Sequence, residues 1–173
     1  MIIRGPSGAG KSSVADAVRR RHGRGLAVLG QDVMRRTLLW EKKDLAGGLA
    51  PGFITHSAGF LLNAGWPVII EGILSVTFYG SALRELIAAH RGRTLVYFLQ
   101  VELVETFTRH ATRPEAAEFS TADMASWYLL TELTLPLLQV RAYFCYVSAP
   151  CVILSTEGTC RLSWCQMPAA WWR

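Results

Sequence analysis

Residues Gly5-Pro6-Ser7-Gly8-Ala9-Gly10-Lys11-Ser12 fill every fixed position of the spacing G-x-x-x-x-G-K-[ST], whose chemistry is that of a polyanion cradle. Glycines let successive backbone N–H groups point into one concavity, and the N-terminus of a following helix adds partial positive charge. Gly5, Pro6, Ser7, Gly8, Ala9, Gly10, Lys11, Ser12 and Ser13 are therefore the candidate residues for binding a nucleotide, ATP. The Lys11 ammonium suits the β- and γ-phosphates, and the Ser12 hydroxyl suits Mg²⁺. Met1-Ile2-Ile3-Arg4 reads as a short strand before the loop, and Ser13 to Arg20 carries apolar residues at helical spacing. Strand, loop and helix thus follow in the order the cradle requires.

Two acids stand where further strands end. Leu26-Ala27-Val28-Leu29 is an apolar run that leads into Gly30-Gln31-Asp32, with Asp32 at the start of a helix. Trp66-Pro67-Val68-Ile69-Ile70 leads into Glu71-Gly72, and Thr94 to Leu99 reads as a fourth strand. Helical patterns separate these runs: one holds Phe53, Ile54, Ala58 and Leu61 and stops at Gly65, another runs from about Ser81 to His90. Near-continuous apolar strands alternating with helices make an α/β fold, a parallel sheet covered on both faces in three αβα layers. Ligands of such sheets sit at the carboxyl ends of the strands, the edge that carries Gly5 to Ser12, Asp32 and Glu71. Glu71 is read with Ser12 on the metal side, holding a metal-bound water, or else as a contact to the acceptor.

A charged, hydroxyl-rich helix follows, ending at Arg113-Pro114; with the residues after it, it reads as a lid over about 109–128. Arg109 and Arg113 share one helix face and are candidates for stabilising a transferring phosphoryl group. Trp40, Phe53 and Phe60 read either as core or as the wall of an acceptor pocket. Val152-Ile153-Leu154 is the candidate fifth strand within an atypical tail of about 133–173, which holds all four cysteines and few charges.

At 173 residues the chain reads as one domain. Its net charge of +5 is scattered rather than gathered into a run, which disfavours nucleic acid as the main partner. No apolar leader precedes the first strand, and Pro136, Arg141 and Pro150 interrupt the most apolar stretch, so the reading is cytoplasmic with no membrane span.

Over about residues 1–128 these features resemble the small P-loop kinases, most of all the group around chloramphenicol phosphotransferase, with zeta toxins and shikimate and nucleoside monophosphate kinases as wider relatives. The likeness rests on Gly5 to Ser12, Gly30-Gln31-Asp32, Val68-Ile69-Ile70-Glu71-Gly72 and Arg109-His110-Ala111-Thr112-Arg113. It implies a P-loop NTPase/kinase fold with about five parallel strands, and transfer of the ATP γ-phosphate to a hydroxyl of a small molecule. It also implies that Asp32 is the base, with Lys11, Arg109 and Arg113 acting on the phosphates. Two other readings remain open: a regulatory ATPase that responds to nucleotide, and a kinase directed at nucleic acid or tRNA.

Overall fold

A computed structural model of the chain describes residues 1–42, 47–112, 119–131, 139–147, 149–155 and 161–162, with side chains described as far as residue 128. β1 (Ile2–Arg4) lies between β3 (Val68–Gly72) and β4 (Val96–Gln100), and β2 (Ala27–Gly30) pairs with the far side of β3. All four are parallel. Their side chains alternate between two cores, as period-two geometry demands. Ile2, Val68, Ile70 and Val96 enter one core, with Ile54 and Ala58 of α2 (Ala50–Asn63) and Tyr79 and Leu83 of α3 (Val76–Ala89). Ile3, Ile69, Tyr97 and Leu99 enter the other, with Ala15 of α1 (Lys11–His22). The three-layer α/β architecture read from the sequence is the one observed.

The helices depart from the sequence reading in instructive ways. α3 starts at Val76, five positions before the expected Ser81, because the turn at Leu74 (φ 45°) lets the Tyr79 N–H reach the Ser75 carbonyl at 2.9 Å. Asp32 caps nothing: Gln31 and Asp32 are already helical, and a π-helical segment follows over Val33–Leu38. Gly65 (φ 80°) ends α2 as expected, its N–H donating to the Leu62 carbonyl. Trp40, Phe53 and Phe60 are exposed and are not core.

α4 (Leu103–Ala111) leads into the region read as a lid, which begins in its last turn, and α5 (Thr121–Thr131) covers the far part of that region. His110 joins them: its ring stacks on Phe119 at 4.4 Å, its Nε2 meets the Phe119 carbonyl oxygen at 3.0 Å, and Phe119 in turn packs on Trp127. Ser120 and Asp123 form a capping box at the start of α5, the Ser120 hydroxyl donating to Asp123 Oδ2 at 2.6 Å and accepting from the Asp123 N–H at 3.2 Å. The rest of the lid expected within 113–118, Arg113 included, lies outside the described residues.

The sheet continues beyond β4 with β5 (Gln139–Val147), parallel, and then β6 (Ala149–Ser155) and β7 (Arg161–Leu162), both antiparallel. Its order is β2-β3-β1-β4-β5-β6-β7. Five strands are parallel, as expected, but the fifth is Gln139–Val147; Val152-Ile153-Leu154 falls in antiparallel β6. An apolar run alone does not set strand direction: β5 reaches β4 through a crossover, whereas β6 follows β5 by an immediate reversal. Cys160, Cys165 and residues 163–173 lie outside the described residues. Among the described residues, no helix is long and apolar enough to cross a membrane.

The core makes a direct prediction. Leu83, fully buried between α3 and the sheet, should cost about 2–5 kcal/mol on replacement by alanine. Phe60→Ala, at a position 74% exposed, should stay within about 0.5 kcal/mol. Urea unfolding of the two variants beside the parent chain measures both.

Candidate functional site

The strand order places a switch point at β1, because the chain leaves β1 for β2 on one side and later returns to β4 on the other. The crevice at the carboxyl ends of β1 and β4 is where such a sheet binds ligands. The glycine loop rises from that crevice. A Cβ at Gly5 (φ 152°) would stand 2.6 Å from the Leu99 carbonyl oxygen, so only glycine lets the chain leave β1 against β4. Gly8 (φ 79°) abuts the backbone of Thr106 in α4, and Gly10 (φ 85°) turns the loop into α1, whose first residue is Lys11.

Lys11 is buried, and its Nζ donates to the Pro6 carbonyl at 2.8 Å across the loop. Ser12 Oγ donates to Glu71 Oε1 at 3.2 Å, which links the loop to the end of β3. Room for that carboxylate comes from Gly30, where a Cβ would lie 3.0 Å from Glu71 Oε1. Burial pushes the Glu71 carboxyl above the ordinary glutamate value; Lys11 and the Ser12 hydrogen bond pull it back, while Asp32 and Asp16 push it up. Lys11, Ser12, Glu71 and Asp32 therefore share one electrostatic neighbourhood. Asp32 Oδ1 is held by Arg35 Nη2 at 3.3 Å and Arg36 Nε at 3.6 Å, with its side chain 66% exposed at the rim.

Of the two arginines read as phosphoryl-stabilising, Arg109 lies one turn beyond Thr106 in α4, where its Nε donates to Glu105 Oε1 at 2.7 Å. Arg113 lies outside the described residues.

Other polar groups at this rim were not read from the sequence. Gln31 is buried and its Nε2 donates to the buried Tyr79 hydroxyl at 3.1 Å, beneath Asp32. Arg35, Ser75 and Arg4 are buried as well. For Arg4 a signal existed: a charge closing an apolar run that must sit inside a sheet. A separate cavity of about 420 Å³ opens at the opposite, amino edge of the strands, between residues such as Val18, Leu62, Trp66, Leu86 and Leu95. It contains none of the loop.

The donor set fits a hard divalent cation. A hydroxyl and a carboxylate meet at the loop, and among the described residues no group of three His, Cys, Asp or Glu side chains gathers to cage an ion. Such a pair suits Mg²⁺, which retains waters and takes phosphate oxygens for the remaining positions.

The sheet order, the glycine cradle and the Lys11-Ser12 pair define a phosphate-loop protein of the α/β class. Residues 1–133 match the family model described as "AAA domain", and the chain belongs to that family. No curated protein matches it. Among solved structures, it is similar to a gluconokinase from Sinorhizobium meliloti 1021, with 19% identity, TM-score 0.58, and 82% of this chain and 80% of that one covered. It is also similar to the Mycobacterium tuberculosis APS kinase CysC in complex with AMPPNP and APS, with 22% identity, TM-score 0.52, and coverage of 69% and 75%. A third is the Deinococcus radiodurans tunicamycin resistance protein, with 15% identity, TM-score 0.53, and coverage of 81% and 84%. At these identities the likeness is one of fold.

The raised Glu71 carboxyl gives a signed pH prediction. In the folded chain Glu71 keeps its proton to higher pH than in the unfolded chain, so it favours folding at low pH. That contribution is lost as pH rises from the ordinary glutamate value through the folded one. Glu71→Gln should flatten this part of the stability profile and raise the melting temperature near neutral pH without added metal, as thermal unfolding across pH would measure.

Proposed function

We propose that the chain is an ATP-dependent phosphotransferase that moves the γ-phosphate to a hydroxyl of a small molecule. The observation that carries this reading is the meeting of Lys11, Ser12 and Glu71 at a glycine cradle, with Asp32 on the same rim. ATP would lie along Gly5 to Ser13, its phosphates on the loop N–H groups and on the Lys11 ammonium. Ser12 and Glu71 would hold Mg²⁺, which when bound neutralises charge on the β- and γ-phosphates.

The acceptor hydroxyl would approach from the Asp32 side. As its oxygen forms a bond to the γ-phosphorus, the bond from that phosphorus to the β–γ bridging oxygen breaks and ADP leaves. Asp32 accepts the hydroxyl proton. Arg35 and Arg36 support this role by holding Asp32 Oδ1 at the rim rather than letting it cap a helix. Arg109 would turn from Glu105 to the transferring group when the lid closes, and Arg113 is assigned with it. The narrower likeness to chloramphenicol phosphotransferase belongs to this proposal too, supported by the Gly30-Gln31-Asp32 sequence at the end of β2.

ATP consumption with a panel of small hydroxyl compounds tests the reading. One compound should stimulate turnover, and Lys11→Ala should abolish the stimulation. Asp32→Asn should lower the stimulated rate about 10²-fold or more, the scale of general-base catalysis, with the melting temperature unchanged. Full activity in Asp32→Asn removes the base assignment.

A further inference from the structure

Arg4 ends β1, the middle one of the five parallel strands, and is fully buried. Its Nε and Nη2 are buried without a hydrogen-bond partner. The contact that accompanies the guanidinium is the Phe98 ring, with Cζ 5.6 Å from the centroid. Among the described residues no carboxylate pairs with it, and burial lowers its pKa. A cation left in such a place is strongly destabilising, and replacing it with an apolar side chain is commonly neutral or stabilising. Packing therefore does not account for an arginine here.

Its position gives the alternative. Alternation along β1 puts Arg4 on the face of Ile2, the side covered by α2 and α3, and not on the face of Ile3 and α1. Arg4 is also the residue immediately before the loop, in register with Phe98 across the switch-point crevice and with Gly72 on the other side. From Gly72 the chain passes through the left-handed Leu74 to Ser75, whose hydroxyl is likewise buried without a partner and caps no helix. A buried cation at the end of β1 and a buried hydroxyl at the start of α3, three residues past the β1-paired Gly72, thus both lack a hydrogen-bond partner at the carboxyl edge of the sheet. A guanidinium and a hydroxyl donor together suit an oxyanion.

We propose that Arg4, with Ser75, anchors an anionic group of the acceptor, so that the compound phosphorylated carries a carboxylate, sulfate or phosphate besides its hydroxyl. This assignment rests on the phosphotransferase reading for the word acceptor, but the anion site can be measured without it.

The test uses the whole chain saturated with Mg·ADP, which occupies the glycine loop and leaves sulfate to report on other sites. Sodium sulfate is titrated at ionic strength held constant with sodium chloride, and the melting temperature is read. The parent protein should rise with sulfate. Arg4→Met should start at an equal or higher melting temperature, bind ADP normally and show no rise; Arg4→Lys, which keeps a charge, should show a weaker one. A parent protein indifferent to sulfate, or an Arg4→Met protein that responds as the parent does, overturns the proposal. So does an Arg4→Met protein that loses ADP affinity, since the arginine would then serve the nucleotide.

Turnover separates the two readings. Hydroxy acids and phosphorylated alcohols are compared with their neutral parent alcohols, so that carboxylate and phosphate are distinguished. The anionic members should stimulate ATP consumption, with the acceptor KM at least tenfold higher in Arg4→Lys and the ATP KM unchanged. Equal stimulation by a neutral parent overturns the anion anchor and leaves the kinase standing. A sulfate response that depends on Arg4, with no compound stimulating turnover, upholds the anion site and overturns the kinase.

Discussion

The parallel pairing of β1 between β3 and β4 is the constraint on which the site depends. Three residues, Ile2 to Arg4, set the height at which the chain leaves the sheet. That height brings Gly5 against the Leu99 carbonyl, Gly8 against Thr106 and Ser12 within a hydrogen bond of Glu71. Each contact joins a residue of the loop to a strand end or helix far away in sequence. The cradle is thus held from three sides by elements whose own burial supplies the stability, and a phosphate can meet donors that are already arranged.

Electrostatically the rim holds opposed charges close together without neutralising them in isolated pairs. Glu71 feels Lys11 and Asp32 at once, in a partly buried place that would prefer it uncharged. Asp32 is drawn towards Arg35 and Arg36. Such a field suits a ligand that brings both signs, a polyanion with its cation, because each partner then meets a protein group of the opposite charge. The buried Gln31–Tyr79 hydrogen bond lies under this arrangement and supports the helical turn that carries Asp32.

What the sequence revealed, and what it withheld, follows from the range of the interactions. The glycine loop was readable because its conformation is local: glycines at positive φ and a lysine at a helix start are needed wherever such a loop occurs. The first four strands were readable because buried parallel strands are continuous apolar runs. The early start of α3 was not, since it depends on a non-glycine residue, Leu74, accepting a left-handed turn because its side chain is buried in the core. The identity of the fifth strand depended on pairing across a long separation, and the same apolar character serves a parallel or an antiparallel neighbour. That Glu71 stands at the same sheet edge as the loop was legible from the end of its apolar strand, whereas Ser75 and Tyr79 acquire meaning only once α3 is seen to begin beside them.

The shortness of β1 has a consequence for how this chain can change over evolutionary time. Adjacent residues of the strand serve opposite cores, and the loop begins one residue after it ends. Inserting or deleting a single residue there would exchange the two faces and shift every loop contact by a strand step of about 3.3 Å. Divergence at this end of the sheet is therefore confined to replacing side chains, while length variation is free to accumulate at the opposite edge, where α2 runs into β3 and α3 into β4, away from the loop and from Ser75.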